Sequence, residues 1–145
     1  MMAGAQFHQI NLVARNLHET LTFYRRLGVE IPDGAVWRTA DGPHHATADT
    51  SGGVDLEFDS EKLARFYNAG FAAERGRVVI GLSLESRDAV DLAWANLIAE
   101  GVQGLQPPFD AFWGARYAIV EDPDGNPVGL MSPVDPDRRT GAPDI

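Results

Sequence analysis

QINLVARNLHETLTFYRRLGVE, residues 9–30, decides the fold, because VIGLSLESRDAVDLAWANLIAEGV, residues 79–102, repeats its pattern about 70 residues later. In both stretches an alternating, strand-like segment runs into a helix with one apolar face. Each stretch leads on to an apolar closing strand, GVDLEF at 53–58 and NPVGLM at 126–131. Such a duplication relates the two halves by a pseudo-twofold axis, so each residue can be compared with its counterpart in the other half.

Both halves are predicted to form a strand, a helix and three further strands, βαβββ. The first helix starts at Asn16, which has the capping-box spacing with Glu19, and Gly28 is placed to end it. Ser86 is the equivalent start of the second helix. Matching the apolar residues of the closing strands pairs Val54 with Val128 and Leu56 with Leu130.

The composition predicts one acidic domain over residues 1–145, since each half, about 60 residues long, would be marginally stable alone. The 21 acidic and 12 basic residues give a net charge of −9, and nucleic-acid binding needs a basic face, so nucleic acid is excluded as a partner. Cysteine is absent, which excludes thiolate chemistry and disulfides. No signal sequence or membrane-spanning apolar run is recognisable, so we expect a cytoplasmic protein without a membrane partner.

Within that domain the predicted units follow one another without a long insertion. We place module 1 at about 7–58, a polar connector at 59–76 with a short helical turn at 61–67, module 2 at about 77–132, and a tail at 133–145. The tail is rich in Pro, Asp and Arg, so it is expected to pack little.

Strand alternation sorts the side chains into two faces. The apolar face must lie under the helices, which places Val78, Ile80 and Leu82 there together with Ile10 and Leu12. The other face is polar and acidic in the first half, and small and apolar in the second. Its predicted members are Gln9, Asn11, His45, Thr47, Asp49, Asp55 and Glu57, and then Val79, Gly81, Ser83, Gly129 and Met131.

Two motifs carry a resemblance to a known family: the L-x-x-x-L-x-FY-x-x-LG pattern at 17–28 and the turn EDPDGN at 121–126. With the paired βαβββ modules, they resemble the vicinal oxygen chelate superfamily, which includes glyoxalase I, extradiol dioxygenases, fosfomycin-modifying enzymes and bleomycin-resistance proteins. The resemblance covers residues 7–132. It implies an α+β fold in which two βαβββ modules form a cup-shaped mixed sheet with helices on its convex side. Members include metal enzymes and metal-free binding proteins, so the activity does not follow from the fold.

The resemblance also implies where a metal would be held. Metal-dependent members use one side chain from each of four strands, and these positions correspond here to Gln9, Asp55, Val79 and Gly129. Valine and glycine side chains cannot donate to a metal, so we expect no catalytic metal and no other cofactor, although a weakly held divalent ion stays open. A displaced site built from His45 with Asp55 or Glu57 is the alternative.

A second group of candidate site residues is a cluster of aromatic side chains. Phe109, Phe112, Trp113 and Tyr117 cluster before the DPDG turn, and in bleomycin-resistance-like proteins such a stretch lies at the cavity rim. There Phe112, Trp113 and Trp37 would stack a flat ligand, and Arg116 would pair with an anionic group or with Asp110. The alternative is that the aromatic residues close the core or a dimer interface.

Three functions remain open. The first, which we favour, is a metal-free small-molecule-binding protein that sequesters a flat or cationic compound as a symmetric homodimer. The second is a metal-dependent lyase, isomerase or dioxygenase with non-standard ligands. The third is a metal-free enzyme with His45 or Glu57 as general base. The predicted ligand-binding residues are Gln9, Asn11, Trp37, His45, Asp55, Glu57, Phe112, Trp113 and Arg116.

Overall fold

The computed structural model describes residues 4–26, 29–50, 53–74, 76–121 and 125–145. Within them, no helix has the length and apolar character needed to cross a membrane. The predicted α+β order, βαβββ twice with a short helix between the halves, is confirmed. The elements are β1 (Gln6–Ala14), α1 (Leu17–Arg26), β2 (Val36–Thr39), β3 (Gly42–Thr47), β4 (Asp55–Ser60), α2 (Glu61–Tyr67), β5 (Val78–Ser83), α3 (Arg87–Ala99), β6 (Gly104–Asp110), β7 (Arg116–Glu121) and β8 (Pro127–Met131).

The strands form one mixed, open sheet in the order β2-β3-β4-β1-β5-β8-β7-β6. β1 pairs with β4 in parallel, and β5 pairs with β8 in the same way, while the antiparallel β1–β5 pair joins the two halves. β2 and β6 are the edge strands. Pro107 and Pro108 lie on β6. Proline has no backbone N–H, and an edge strand tolerates it because the outer side of the strand makes no hydrogen bonds to a neighbour.

The pseudo-twofold axis passes through the β1–β5 pair, where Ile10 lies opposite Ile80. Ile10 also pairs with Leu56 on β4, and Ile80 pairs with Val128 on β8. Leu56 and Val128 are therefore true counterparts, and residues on either side of them follow in step.

This register corrects our alignment of the closing strands. We had paired Val54 with Val128 and Leu56 with Leu130, which was wrong by two residues, because Phe58 is the counterpart of Leu130. A two-residue shift keeps every apolar side chain on the same face, so alternation alone could not detect it. β4 consequently runs two residues beyond the predicted end at Phe58.

The helix starts were predicted correctly. The Asn16 side chain accepts a hydrogen bond from the backbone N–H of Glu19 (3.2 Å), and the Ser86 hydroxyl accepts one from that of Ala89 (3.1 Å). Each cap satisfies a backbone donor that the first helical turn leaves unpaired. The two halves therefore use equivalent capping residues.

Glycine ends α3 and shapes one later turn. Gly101 has φ +91° and Gly125 has φ +90°, a left-handed conformation that glycine adopts without strain. The predicted helix stop at Gly28 and the first three residues of the DPDG turn, 122–124, lie outside the described residues.

The convex face of the sheet is covered by α1 and α3, as predicted. α1 packs Leu17 and Leu21 against β4, where Phe58 is fully buried. α3 packs Val90, also fully buried, and Ala93 against β7 and β8. Val78 was expected under these helices, but 43% of it is exposed at the start of β5, where neither helix covers it.

The predicted connector, 59–76, is more structured than expected. Its first two residues belong to β4, and the helical turn predicted at 61–67 is α2, capped by a hydrogen bond from Leu63 N–H to the Ser60 hydroxyl (3.1 Å). α2 buries Leu63 and Tyr67 in a cluster with Val13 of β1 and with β7. It therefore lies on the concave face, opposite α1 and α3.

The expectation that the tail packs little holds for its side chains, most of which are exposed in residues 133–145, but its backbone is hydrogen-bonded to the loop between β6 and β7. Asp135 N–H donates to the Gly114 carbonyl (3.0 Å) and Thr140 N–H donates to the Phe112 carbonyl (3.0 Å). Gly114 has φ +97°, and a Cβ there would lie 2.4 Å from the Asp135 carbonyl oxygen, so this close approach requires glycine. Ile145 packs against the α2 cluster. The tail thus straps the loop between β6 and β7.

Candidate functional site

A cavity of about 400 Å³ opens on the concave face, between α2, the β6–β7 loop and strands of both halves. Its wall combines polar side chains on one side with aromatic and aliphatic side chains on the other. The polar set is His8, Gln9, Asn11, His45, Asp55, Glu57 and Asp59. The apolar and aromatic set is Trp37, Leu63, Tyr67, Phe112, Trp113, Tyr117, Met131, Val134 and Ala142.

Most of the predicted site residues line this one cavity. Eight of the nine do so, and they come from four strands and the β6–β7 loop. Their role in binding stays a prediction. The eight are Gln9, Asn11, Trp37, His45, Asp55, Glu57, Phe112 and Trp113.

His45 of β3 is held between two carboxylates of β4. Its Nδ1 lies 2.7 Å from Asp59 Oδ1, and its Nε2 lies 3.3 Å from Glu57 Oε1. The Thr47 hydroxyl is also 3.3 Å from Nε2. β3 and β4 are antiparallel neighbours with His45 opposite Asp59, so the sheet register itself brings these groups together.

Asp59 is the most important residue that sequence reasoning missed. It is 1% exposed, and its Oδ2 accepts hydrogen bonds from Asn11 Nδ2 (2.9 Å) and from the Tyr67 hydroxyl (2.9 Å). Gln9 Nε2 in turn donates to Asn11 Oδ1 (2.7 Å). The sequence did contain a signal for Asp59, because acidic residues alternate at positions 55, 57 and 59 as they would on one face of a strand. We missed it because we ended module 1 at residue 58.

The two carboxylates keep His45 protonated. Burial alone would lower the pKa of His45, but the hydrogen bonds and negative charges of Asp59 and Glu57 outweigh it and raise that pKa to about 10. At neutral pH the ring is therefore a fixed cation with both nitrogens acting as donors. An imidazolium can neither accept a proton nor bind a metal, so this charge state argues against His45 as general base or metal ligand, and those roles stay untested predictions.

Glu57 and Asp55 retain capacity for further contacts. Glu57 is mostly buried at the cavity floor, and in the described part of the chain its side chain has no partner besides His45. Asp55 is half-exposed at the cavity mouth, 3.7 Å from His8 Nε2. His8, which strand alternation alone would place on the opposite face from Gln9, lies at the cavity mouth because β1 has an irregularity between Phe7 and Gln9.

The opposite wall is a set of aromatic rings in contact. Trp113 lies 5.3 Å from Tyr117 and 5.2 Å from Phe112 between ring centroids, both pairs edge to face. Phe112 continues to Trp37 at 6.3 Å, and Trp113 Nε1 points to Met131 Sδ at 3.3 Å. The rings line the cavity and also pack on the α2 cluster, so they close part of the core, while stacking on a ligand stays a prediction.

Arg116 lies outside the cavity, contrary to prediction. Its Nε donates to Asp91 of α3 (2.9 Å) and its Nη1 to Asp110 (3.2 Å). Alternation explains this, because Tyr117 faces the cavity and its neighbour on β7 must face the helix side. Asp49 also departs from its predicted place, since β3 ends before it and leaves it exposed.

The family of the chain follows from comparison with known proteins. A model of the Glyoxalase/Bleomycin resistance protein/Dioxygenase superfamily matches residues 6–130. The chain belongs to this superfamily. A comparison with curated proteins found no match.

Solved structures of similar fold support the superfamily architecture. The 2,3-dioxygenase LapB from Pseudomonas sp. KL28 has a TM-score of 0.61 at 16% identity over 90% of this chain, which spans only 43% of the LapB chain. The hypothetical protein BH1468 from Bacillus halodurans C-125 has a TM-score of 0.60 at 17% identity, covering 92% and 97% of the two chains. A protein from Legionella pneumophila described as an NAD-dependent benzaldehyde dehydrogenase has a TM-score of 0.58 at 15% identity, covering 86% and 96%. At these identities the likeness shows the fold alone.

The residues at the superfamily's metal positions do not fit a divalent ion. The corrected register replaces Asp55 by Glu57 as the counterpart of Gly129, so the four positions hold Gln9, Glu57, Val79 and Gly129. Two of them carry no donor atom. The described residues contain no group of three or more His, Asp or Glu side chains placed to hold an ion.

Protein side chains also fill the space over the glycines that face the cavity on β5 and β8. A Cβ at Gly129 would lie 2.7 Å from the Tyr117 hydroxyl, and one at Gly81 would lie 2.4 Å from Gln9 Cγ. Both distances are shorter than a side chain can accept without displacement of its neighbour. Of these two glycines only Gly129 occupies a metal position, and a metal-binding side chain there would have to displace Tyr117.

Proposed function

We propose that this protein binds, without a resident metal, a small molecule that joins a cationic or hydrogen-bond-donating group to a flat apolar part. The observation that carries the proposal is the cavity itself, in which a floor of carboxylates faces a wall of aromatic rings. Its volume of about 400 Å³ falls in the range of small-molecule sites, roughly 300–1,000 Å³.

The charges of the floor support a cationic ligand. Three carboxylates, Asp55, Glu57 and Asp59, face one fixed cation, His45, so the floor carries net negative charge at neutral pH. Burying negative charge is costly unless a positive or donating group compensates it. A ligand cation would supply that compensation, whereas an anion would add to the repulsion.

The aromatic wall supports the flat part of the ligand. Trp37, Phe112, Trp113 and Tyr117 present ring faces and edges to the cavity, and such surfaces favour stacking and cation–π contacts. Because these rings also pack against one another, the wall is held in place before a ligand arrives. Preorganisation of this kind reduces the entropy cost of binding.

Catalysis of proton transfer without a metal is a second candidate. The favouring observation is that Glu57 faces the cavity with one oxygen on His45 and the other without a partner in the described residues. A carboxylate in that position can act as a general base, whereas protonated His45 cannot. Replacement Glu57→Gln would then abolish turnover while a bound substrate is retained; loss of affinity alone would support binding only.

We also retain the proposal of a symmetric homodimer. The edge strands β2 and β6 each leave one side of their backbone without a strand partner in the described sheet. A stable interface would bury more than about 1,000 Å² in total. Sedimentation as a monomer at micromolar concentration would contradict this assembly.

The proposed binding is tested with three probes of one shape and different charge: phenethylamine (cation), phenethyl alcohol (neutral) and 3-phenylpropionate (anion). We expect the cation to bind most tightly in calorimetric titration and the anion not to bind. The double variant Asp55→Asn, Glu57→Gln should weaken cation binding by at least about fivefold, which corresponds to about 1 kcal/mol. Glu85→Gln, at an exposed position outside the cavity, is the matched control. Equal affinity for cation and anion would refute the proposal.

A further inference from the structure

Tyr117 carries a hydroxyl that is accessible from the cavity and that no described residue uses as a hydrogen-bond partner. The residue is 8% exposed and lines the cavity, yet its hydroxyl has no hydrogen-bond partner among the described residues. Tyr67, the neighbouring tyrosine at 6.0 Å between ring centroids, donates its hydroxyl to Asp59 instead. A polar group on a cavity wall is satisfied by water or by a ligand that displaces the water, so the partner of the Tyr117 hydroxyl comes from outside the chain.

The position of the hydroxyl is prepared by the sheet. Gly129 lies beside Tyr117 on the neighbouring strand β8, and any side chain there would collide with the hydroxyl, since an added Cβ would lie 2.7 Å from it. On its other side the ring is fixed edge to face against Trp113 at 5.3 Å. The hydroxyl is therefore held in one place on the cavity wall.

The hydroxyl also stays protonated. Burial raises the pKa of Tyr117, and the negative charges of Asp59 and Glu57 raise it further. At any physiological pH the group is thus a hydrogen-bond donor in a cavity whose other side carries acceptors. The cavity consequently offers one fixed donor, Tyr117, and one carboxylate with spare acceptor capacity, Glu57.

We propose that Tyr117 is a specificity-determining residue, whose hydroxyl donates a hydrogen bond to an uncharged oxygen of the ligand while the ligand's ammonium or N–H group lies on Glu57. The inference rests on the proposed binding function and narrows its ligand class to compounds in which a carbonyl or hydroxyl oxygen accompanies the cationic or donating nitrogen. A carboxylate oxygen is disfavoured there, because the negative charges of Asp59 and Glu57 act on the Tyr117 hydroxyl. The site would therefore prefer an amino amide to the corresponding amino acid.

A first test needs no ligand. Because the Tyr117 hydroxyl has no protein partner, Tyr117→Phe should leave the melting temperature within about 2 °C of wild type. Tyr67→Phe, the matched variant, removes a donor from buried Asp59 and should lower it by about 3–8 °C. If Tyr117→Phe destabilises the protein as much as Tyr67→Phe does, the hydroxyl has a structural partner and the inference is overturned.

A second test uses three matched probes: phenylalaninamide, phenethylamine and phenylalanine. At about pH 6, where the amino groups of both amines are protonated, wild type should bind the amide about fivefold more tightly than phenethylamine, since one neutral hydrogen bond contributes about that factor. Phenylalanine should bind least. Tyr117→Phe should abolish the preference for the amide and keep phenethylamine binding, whereas Tyr24→Phe on the convex side should change neither.

The outcomes separate this inference from the proposed function. If phenethylamine binds wild type and the preference for the amide is absent, or survives in Tyr117→Phe, the role of Tyr117 is refuted and the cation site stands. If neither amine binds wild type, the proposed function fails and the inference fails with it. NMR titration at millimolar probe concentration measures all three affinities on one scale.

Discussion

The charge state of His45 makes the stability of this protein depend on pH in an unusual direction. The pKa of His45 rises from 6.5 in the unfolded chain to about 10 in the folded one. A group whose pKa is raised by folding contributes its full stabilisation below the unfolded pKa and loses it as the pH rises through the folded pKa. We therefore predict that the free energy of unfolding falls between about pH 6.5 and pH 10.

The size of the effect follows from the shift. If the whole rise in the pKa of His45 is counted, its contribution to the free energy of unfolding is at most about 5 kcal/mol. The His45 side chain keeps 29% of its exposed area and faces a cavity that holds solvent, which screens its two ion pairs. We halve the figure for this reason and expect a loss of about 2–3 kcal/mol over the window, or somewhat less than 1 kcal/mol per pH unit.

Urea unfolding at pH 6.5, 7.5, 8.5 and 9.5 measures this loss directly, and the variant His45→Gln is the control. Glutamine can still donate one hydrogen bond to Asp59 but carries no titrating charge. The variant should be less stable than wild type by about 2–3 kcal/mol at pH 6.5, and the two curves should converge near pH 10. Staying at or below pH 9.5 limits the contribution of lysine and ordinary tyrosine side chains.

The outcome that refutes the reasoning is a pair of parallel curves. Equal pH dependence in wild type and His45→Gln would mean that His45 titrates near its ordinary pKa, and that Asp59 and Glu57 do not hold it as a cation. His45 would then be available as a base at neutral pH, and the third function considered from the sequence would regain its original form.

Three further predictions concern positions around the cavity. Gly129→Ala should lower the free energy of unfolding, measured in urea, by about 1–3 kcal/mol, because the added Cβ would meet the Tyr117 hydroxyl. Gly34→Ala, with open space around it, should lower that free energy by less than about 1 kcal/mol, and equal losses in the two variants would contradict the close contact at Gly129. Deletion of residues 134–145 should uncover the aromatic wall and increase acrylamide quenching of tryptophan fluorescence; unchanged quenching would mean that the tail does not cover it. Arg116→Gln should leave probe affinity within about twofold and stability within about 1 kcal/mol, and a larger loss of affinity would return Arg116 to the site.

The order of elements and the faces of the strands were predictable from sequence because local signals specify them. Asn16 and Ser86 cap the helices through bonds that span only three residues, and period-two alternation needs no knowledge of partners. The same alternation placed Gln9, Asn11 and Glu57 on one face, and all three line the cavity. Local patterns were therefore sufficient to place these polar residues on the cavity face, whereas Trp37, Phe112 and Trp113 were proposed from the family resemblance.

The errors arose where a long-range contact decides the structure. The register of β4 against β1 is such a contact, and a slip of two residues hid Asp59 beyond the predicted strand end. α2 was predicted at the right residues, but only its packing against β1 and β7 reveals that it lies inside the cup. Composition indicated correctly that the side chains of the tail stay exposed, but it says nothing about the hydrogen bonds that its backbone donates to the carbonyls of Phe112 and Gly114.

The hydrogen bonds of the cavity floor divide its carboxylates into a structural one and two that remain available. Asp59 already accepts from Asn11, Tyr67 and His45, so a ligand could bind it only by displacing a protein donor. Among the described residues, Glu57 pairs only with His45, which also contacts Asp59, and Asp55 lies at the mouth of the cavity. Substitutions at Asp59 should therefore mainly lower the stability of the protein, and substitutions at Glu57 should mainly lower its affinity for the ligand. His45 links the two effects. Neutralising Asp59 removes one of the two negative charges that keep the His45 ring protonated beside Glu57, and a ligand cation that binds Glu57 must compete with the His45 ring for that carboxylate.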